Sequence, residues 1–145
     1  MMTNRFHLAI QAGDLESAIY FYCDVLGCTR GKAEFKYPDA WADINFWGNE
    51  LTLHATDPNK KNNGERHNVD MGNVSVPHFG VHLEAETFKK LKERLINKNI
   101  KFIDPPYVRF KGEKKEQETM FIEDPNGNCM EIKTMKNPSS LFENK

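Results

Sequence analysis

Four side chains have the types and the placement to do chemistry together: His7, His54, His78 and Glu131. In the run Arg5-Phe6-His7-Leu8-Ala9-Ile10-Gln11, His7 opposes the apolar stripe of Phe6, Leu8 and Ile10, and His78 likewise opposes Phe79, Val81 and Leu83. Alternation of this kind puts the two sets on opposite faces of a strand. His54 alternates with Leu51 and Leu53, and Glu131 with Met130 and Ile132, so these two also match across the repeat, 77 residues apart, as His7 and His78 do at 71. A polar group facing a hollow without a partner costs about 1–3 kcal/mol, so something must compensate it. A divalent cation does so, and two His with one carboxylate and open positions is the donor set of non-haem Fe(II) sites. We therefore assign His7, His78 and Glu131 as metal ligands, with Fe(II) favoured and Zn, Ni, Co or Mn as the other divalent ions such a set accepts. His54 is either a fourth ligand or an acid or base acting on bound substrate. A single strand histidine is more often a hydrogen-bonded structural residue. Recurrence at matched positions is what argues for a shared ion.

The elements that would position these groups read as one unit written twice. After the first strand, Asp14 has the character of an N-cap, and Leu15, Ala18, Ile19, Tyr22 and Leu26 follow at helical spacing before Gly27. From Cys28 to about Thr56 three strands are expected, with Gly48-Asn49 as a two-residue hairpin connection. Residues 57–75 are rich in Asn, Lys, Gly and Asp and read as a linker, with His67 inside it. His78 to Leu83 is again a strand, Phe88, Leu91 and Leu95 mark a helix ending near Asn97 to Asn99, and Ile100 to Ile103 restarts a strand. Glu118 to Glu123 and Cys129 to Thr134 follow, separated by the turn-rich Asp124-Pro125-Asn126-Gly127-Asn128. The expectation is an α+β fold within a single domain of residues 1–145. Module one runs from about 4 to 56, module two from about 76 to 135, and a tail covers 136–145. Each module is βαβββ, and pairing the two sheets with pseudo-twofold symmetry encloses a metal-binding cavity.

Composition narrows the function class. The 145 residues carry 20 basic and 21 acidic side chains, so the broad positive field that draws a protein onto nucleic acid is missing. No apolar run approaches the roughly 20 residues of a membrane span, and mean hydropathy is −0.69. No signal peptide is read, which makes the cytoplasm the expected location, and three cysteines without CxxC spacing are expected as reduced thiols. Tyr107, Arg109 and Lys111 alternate after Pro105-Pro106. Arg109 is the best group to hold an anionic part of a substrate, since a planar guanidinium matches a carboxylate; the plainer reading is a surface strand with solvated charges. Phe46, Trp47, Trp41 and Phe121 are candidate pocket walls, and His82, one strand repeat beyond His78, is a candidate for the cavity or its rim.

Phe6-His7-Leu8-Ala9-Ile10, Asp14-Leu15-Glu16-Ser17-Ala18, Phe21-Tyr22 and Leu26-Gly27 resemble the opening module of the vicinal oxygen chelate superfamily, and Asp124 to Glu131 resembles its closing turn and ligand strand. That superfamily includes glyoxalase I, extradiol dioxygenases, fosfomycin-resistance enzymes and bleomycin-binding proteins. Pro77 to Val81, Pro106 to Gly112 and Glu116 to Phe121 look like a bacterial glyoxalase-family group described as extradiol-type dioxygenases. The resemblance implies that His7, His78 and Glu131 match the family's ligand positions, while His54 stands where glyoxalase I has a glutamate. It implies a metal-dependent enzyme that chelates two adjacent oxygens of a small substrate, an extradiol-type ring-cleaving dioxygenase first. A glyoxalase I-like isomerase, lyase or thiol transferase comes second, and a metal-free drug-binding protein third. Whether the modules close within one chain or exchange with a second copy in a homodimer is left open.

Overall fold

The structure, a computed structural model, describes residues 4–62, 65–69 and 72–144, with the side chains of 67–69, 72 and 73 outside the description. The chain divides into two compact units, Met1–Asn63 with Asp124–Asn128, and Gly64–Glu123 with Cys129–Lys145.

In the first unit β1 (His7–Gly13) leads into α1 (Leu15–Tyr20), which continues as a π-helical turn over Phe21–Val25, and then into β2 (Thr29–Glu34), β3 (Trp41–Phe46) and β4 (Asn49–Ala55). The sheet order is β1-β4-β3-β2, with β1 parallel to β4. The helix starts where Asp14 accepts from Ser17 N at 3.0 Å, satisfying one of the donors a helix start leaves unpaired. Leu15, Ala18 and Tyr22 are buried with Ala42, Ile44, Leu51 and Leu53, the odd-and-even alternation having placed all four strand residues on the helix-covered face. The β3–β4 connection is Trp47-Gly48 rather than Gly48-Asn49: Phe46 pairs with Asn49, and the two turn residues have φ of 47° and 89°. Two successive left-handed residues match the twist of a tight hairpin, and Gly48 N is held by Asn45 Oδ1 at 2.7 Å.

The second unit begins with a hairpin that the linker reading did not anticipate, β5 (Arg66–Val69) and β6 (Gly72–Ser75). Its strands are four residues each and are held by backbone pairing, which needs no apolar alternation. His67 falls in β5, its side chain outside the described residues. Then follow β7 (Phe79–His82), α2 (Ala85–Asn97), β8 (Asp104–Arg109), β9 (Gln117–Glu123) and β10 (Cys129–Met135), in the order β7-β10-β9-β8 with β7 parallel to β10. Phe88, Leu91 and Leu95 of α2 are buried, as are Met120, Ile122, Met130 and Ile132. The strand expected at Ile100 to Ile103 lies instead at Asp104–Arg109, across Pro105-Pro106. It is an edge strand with a register shift between Asp104 and Tyr107, the setting in which proline's missing N–H is tolerated. Both units thus run βαβββ with the same strand order.

The turn Asp124–Asn128, read from sequence as part of module two, belongs by its contacts to the first unit. Asn126 Nδ2 and Asn128 Nδ2 each donate to Gln11 O at 2.8 Å, and Tyr22 OH donates to the buried Asp124 at 2.8 Å. Cys23, Cys28 and Cys129 form no disulfide among the described residues, and no helix among them is long and apolar enough to cross a membrane.

Candidate functional site

Each sheet has one face under its helix and one face carrying the polar side chains. On the second sheet that polar face is ordered by register: Glu131 lies between Gly80 of β7 and Phe121 of β9, and in the next row Lys133 lies between His82 and Thr119, with Tyr107 beyond. His78 precedes β7, and its Nδ1 is 3.0 Å from Ser75 O. A carbonyl only accepts, so Nδ1 carries the hydrogen and Nε2 presents its lone pair. That Nε2 is 3.4 Å from Glu131 Oε1. Two acceptors therefore face each other, an arrangement that calls for a cation between them, a second ring proton or a metal ion. Two donors each about 2.1 Å from one ion lie about 3.0–3.4 Å apart, so the pair fits a divalent cation.

The remaining carboxylate oxygen is already engaged. Thr119 Oγ1 donates to Glu131 Oε2 at 2.8 Å, and Lys133 Nζ is 3.6 Å from the same oxygen. The Phe121 ring, fully buried, meets the His78 ring edge to face with centroids 5.5 Å apart. Partial burial and then the Lys133 charge hold the His82 imidazole below its ordinary range, with Glu131 opposing. Tyr107 pairs across from Thr119, and Arg109 across from Gln117 with its guanidinium 4.8 Å from the Phe110 ring. Two of the four sequence candidates, His78 and Glu131, are therefore brought together, and Phe121, His82, Tyr107 and Arg109 share their sheet.

On the first sheet His7 is the opening residue of β1, its Nδ1 2.6 Å from Glu50 Oε1, the residue directly beside it on β4. His54 sits further along the same face between Gln11 and Trp41. Register corrects one equivalence. Glu131 pairs with Gly80, two residues after His78; two residues after His7 is Ala9, which pairs with Thr52. The counterpart of Glu131 is thus Thr52, whose hydroxyl donates to Asp43 at 2.7 Å, and the counterpart of His54 is Lys133. A strand's period of two makes positions two apart indistinguishable by alternation. Phe46 is corrected as well: it is buried on the helix-covered face, edge-on to Tyr22, so it is core and not a wall beside His7. Trp47 lies in the β3–β4 turn against Phe46. Among the described residues no three His, Cys, Asp or Glu side chains group as a metal site.

The comparisons with known proteins agree with this architecture. The family model described as the Glyoxalase/Bleomycin resistance protein/Dioxygenase superfamily matches residues 5–132. The chain belongs to that superfamily. A glyoxalase/bleomycin resistance protein/dioxygenase from Alicyclobacillus acidocaldarius is 31% identical, with 96% of each chain covered and a TM-score of 0.75. The fosfomycin resistance protein FosX from Listeria monocytogenes is 11% identical over 97% of this chain and 100% of its own, with a TM-score of 0.66. A glyoxalase/dioxygenase from Nostoc punctiforme is 15% identical over 91% and 90%, also at 0.66. The last two likenesses are of fold. No curated protein matches the sequence. Sequence reasoning missed Thr119, Lys133 and Thr52, because their partners on the polar faces are set only by the strands lying next to them.

Proposed function

We propose that the protein is a metal-dependent enzyme that chelates a small substrate through two adjacent oxygens, an extradiol-type ring-cleaving dioxygenase. The observation that carries this reading is the His78–Glu131 pair: a lone pair and a carboxylate oxygen 3.4 Å apart, the first fixed by Ser75 O and the second side of the carboxylate held by Thr119. His7 is the third ligand of the proposed set. Thr52, a residue without a carboxylate or imidazole, stands at the counterpart of Glu131. That favours a three-ligand set over the four ligands of a glyoxalase I. Fe(II) suits this set best, and when bound it supplies Lewis acidity and a template for the two oxygens.

The chain's own residues do the rest. Phe121 gives the ligand imidazole an apolar wall, Arg109 and Tyr107 orient an anionic or hydroxylated part of the substrate, His82 lines the rim, and His54 takes a proton from the substrate. The test is metal analysis of the protein purified without chelators, followed by anaerobic Fe(II) loading and oxygen uptake with a panel of catechols. Stoichiometric iron and ring cleavage are expected. Zinc, nickel or cobalt with hemithioacetal isomerisation would replace the dioxygenase reading by the glyoxalase one. Absence of any retained ion, together with tight binding of a small organic ligand, would replace both by a binding protein.

A further inference from the structure

We infer that Thr119 is a positioning residue that makes Glu131 a one-oxygen metal ligand; the inference rests on the metal-site reading above and adds a role for a residue outside the ligand set. Thr119 is fully buried on β9, and its hydroxyl has a single hydrogen to give. Two acceptors are within reach, Glu131 Oε2 at 2.8 Å and Ile132 O at 3.4 Å, and the shorter contact takes the hydrogen. Lys133 Nζ approaches the same Oε2 at 3.6 Å, whereas Oε1 faces His78 Nε2. The carboxylate is thereby divided: one oxygen is committed to the protein, and one is turned toward the imidazole.

The consequence concerns coordination number. A carboxylate that uses both oxygens fills two positions on an ion, and one that uses a single oxygen leaves a position open. A substrate binding through two adjacent oxygens, with a further small molecule beside it, needs that extra position. The Thr119 hydroxyl keeps it available by holding Oε2 away. Groups of this kind, hydrogen-bonded to a ligand, typically carry a 10- to 100-fold effect on metal affinity.

The experiment compares the wild type with Thr119→Val, Thr119→Ser, Lys133→Met and His78→Ala, each stripped and reloaded with Co(II). Affinity is read by competition with a chelator, and coordination by the visible absorption envelope. Valine keeps the shape and strand preference of threonine without the hydroxyl, so thermal unfolding of the metal-free proteins checks that the fold is retained. The expected result is a 10- to 100-fold weaker affinity and an altered Co(II) spectrum in Thr119→Val, with Thr119→Ser restoring both. A Thr119→Val protein with the affinity and spectrum of the wild type, alongside a His78→Ala protein that has lost cobalt, overturns the role of Thr119 and leaves the metal site standing. So does an effect confined to Lys133→Met. Cobalt retained undiminished by His78→Ala overturns the ligand assignment itself, and the inference with it.

Discussion

Glu131 sits opposite a strand position that admits only glycine. A Cβ built on Gly80 would lie 1.6 Å from Glu131 O and 2.6 Å from its carbonyl carbon, both backbone atoms with no freedom to swing away. Gly80→Ala must therefore push β7 from β10, breaking the ladder beside the His78–Glu131 pair. Overpacking of this kind costs about 1–3 kcal/mol, and here the backbone on both sides resists relaxation. We expect a lower urea midpoint in Gly80→Ala together with a loss of metal affinity, measured on the same preparations; an unchanged midpoint would show that the strands part without cost. At this scale the sequence displayed His78 and Glu131 because each opposes an apolar stripe. It did not display Thr119 or Lys133. A buried threonine and a lysine on a strand are ordinary until register sets them 2.8 and 3.6 Å from one carboxylate oxygen. The same blindness to register led from Thr52 to His54, two residues along the same face.

Helix α1 is short, six residues before its π-helical turn, so its start matters more than its propensity. Asp14 caps it through Ser17 N at 3.0 Å and Ser17 Oγ at 2.5 Å, and these bonds hold the carboxyl below the ordinary aspartate value. Asp14 is exposed, so solvent screens the charge, and the cap is worth about 0.5–1 kcal/mol. Asp14→Ala should therefore lower the melting temperature by about 1–4 °C at neutral pH. A group with a depressed folded pKa contributes stability above its unfolded value, about 3.9, and loses that contribution as pH falls through the folded one. The difference between wild type and variant should shrink on acidification below about 3.9; calorimetry at neutral and acidic pH checks both points, and a gap that widens in acid would sink the argument. This element was legible because capping residue, apolar spacing and terminal glycine are all local. The β5–β6 hairpin and the strand across Pro105-Pro106 were not, since one carries no apolar alternation in its sequence and the other depends on occupying a sheet edge.

For the molecule as a whole, the repeat of strand order was visible in the sequence, whereas the allegiance of the Asp124–Asn128 turn was not, because it rests on a bond spanning 102 residues. Tyr22 OH donates to Asp124 Oδ2 at 2.8 Å, Asn128 Nδ2 donates to the same oxygen, and the backbone N–H groups of Asn126 and Asn128 donate to Oδ1. Burial raises the Asp124 carboxyl above its ordinary range, and those donors oppose it by favouring the charged form. Burial first, and then the Asp124 charge, push the Tyr22 phenol well above 10. Tyr22→Phe keeps the ring and removes one donor to a charged group, which should cost about 1.5–3 kcal/mol at neutral pH. A raised folded pKa means that the phenol's contribution is full below its unfolded value of about 10 and is lost as pH rises toward the folded one. The phenylalanine variant has no such proton to lose. Urea unfolding at pH 7, 9 and 11 should therefore show the wild type's advantage intact at the first two values and narrowing at the third. No gap at any of these pH values would mean that Tyr22 stabilises the first unit through its ring alone, edge to face with Phe21 at 5.2 Å and Phe46 at 6.5 Å.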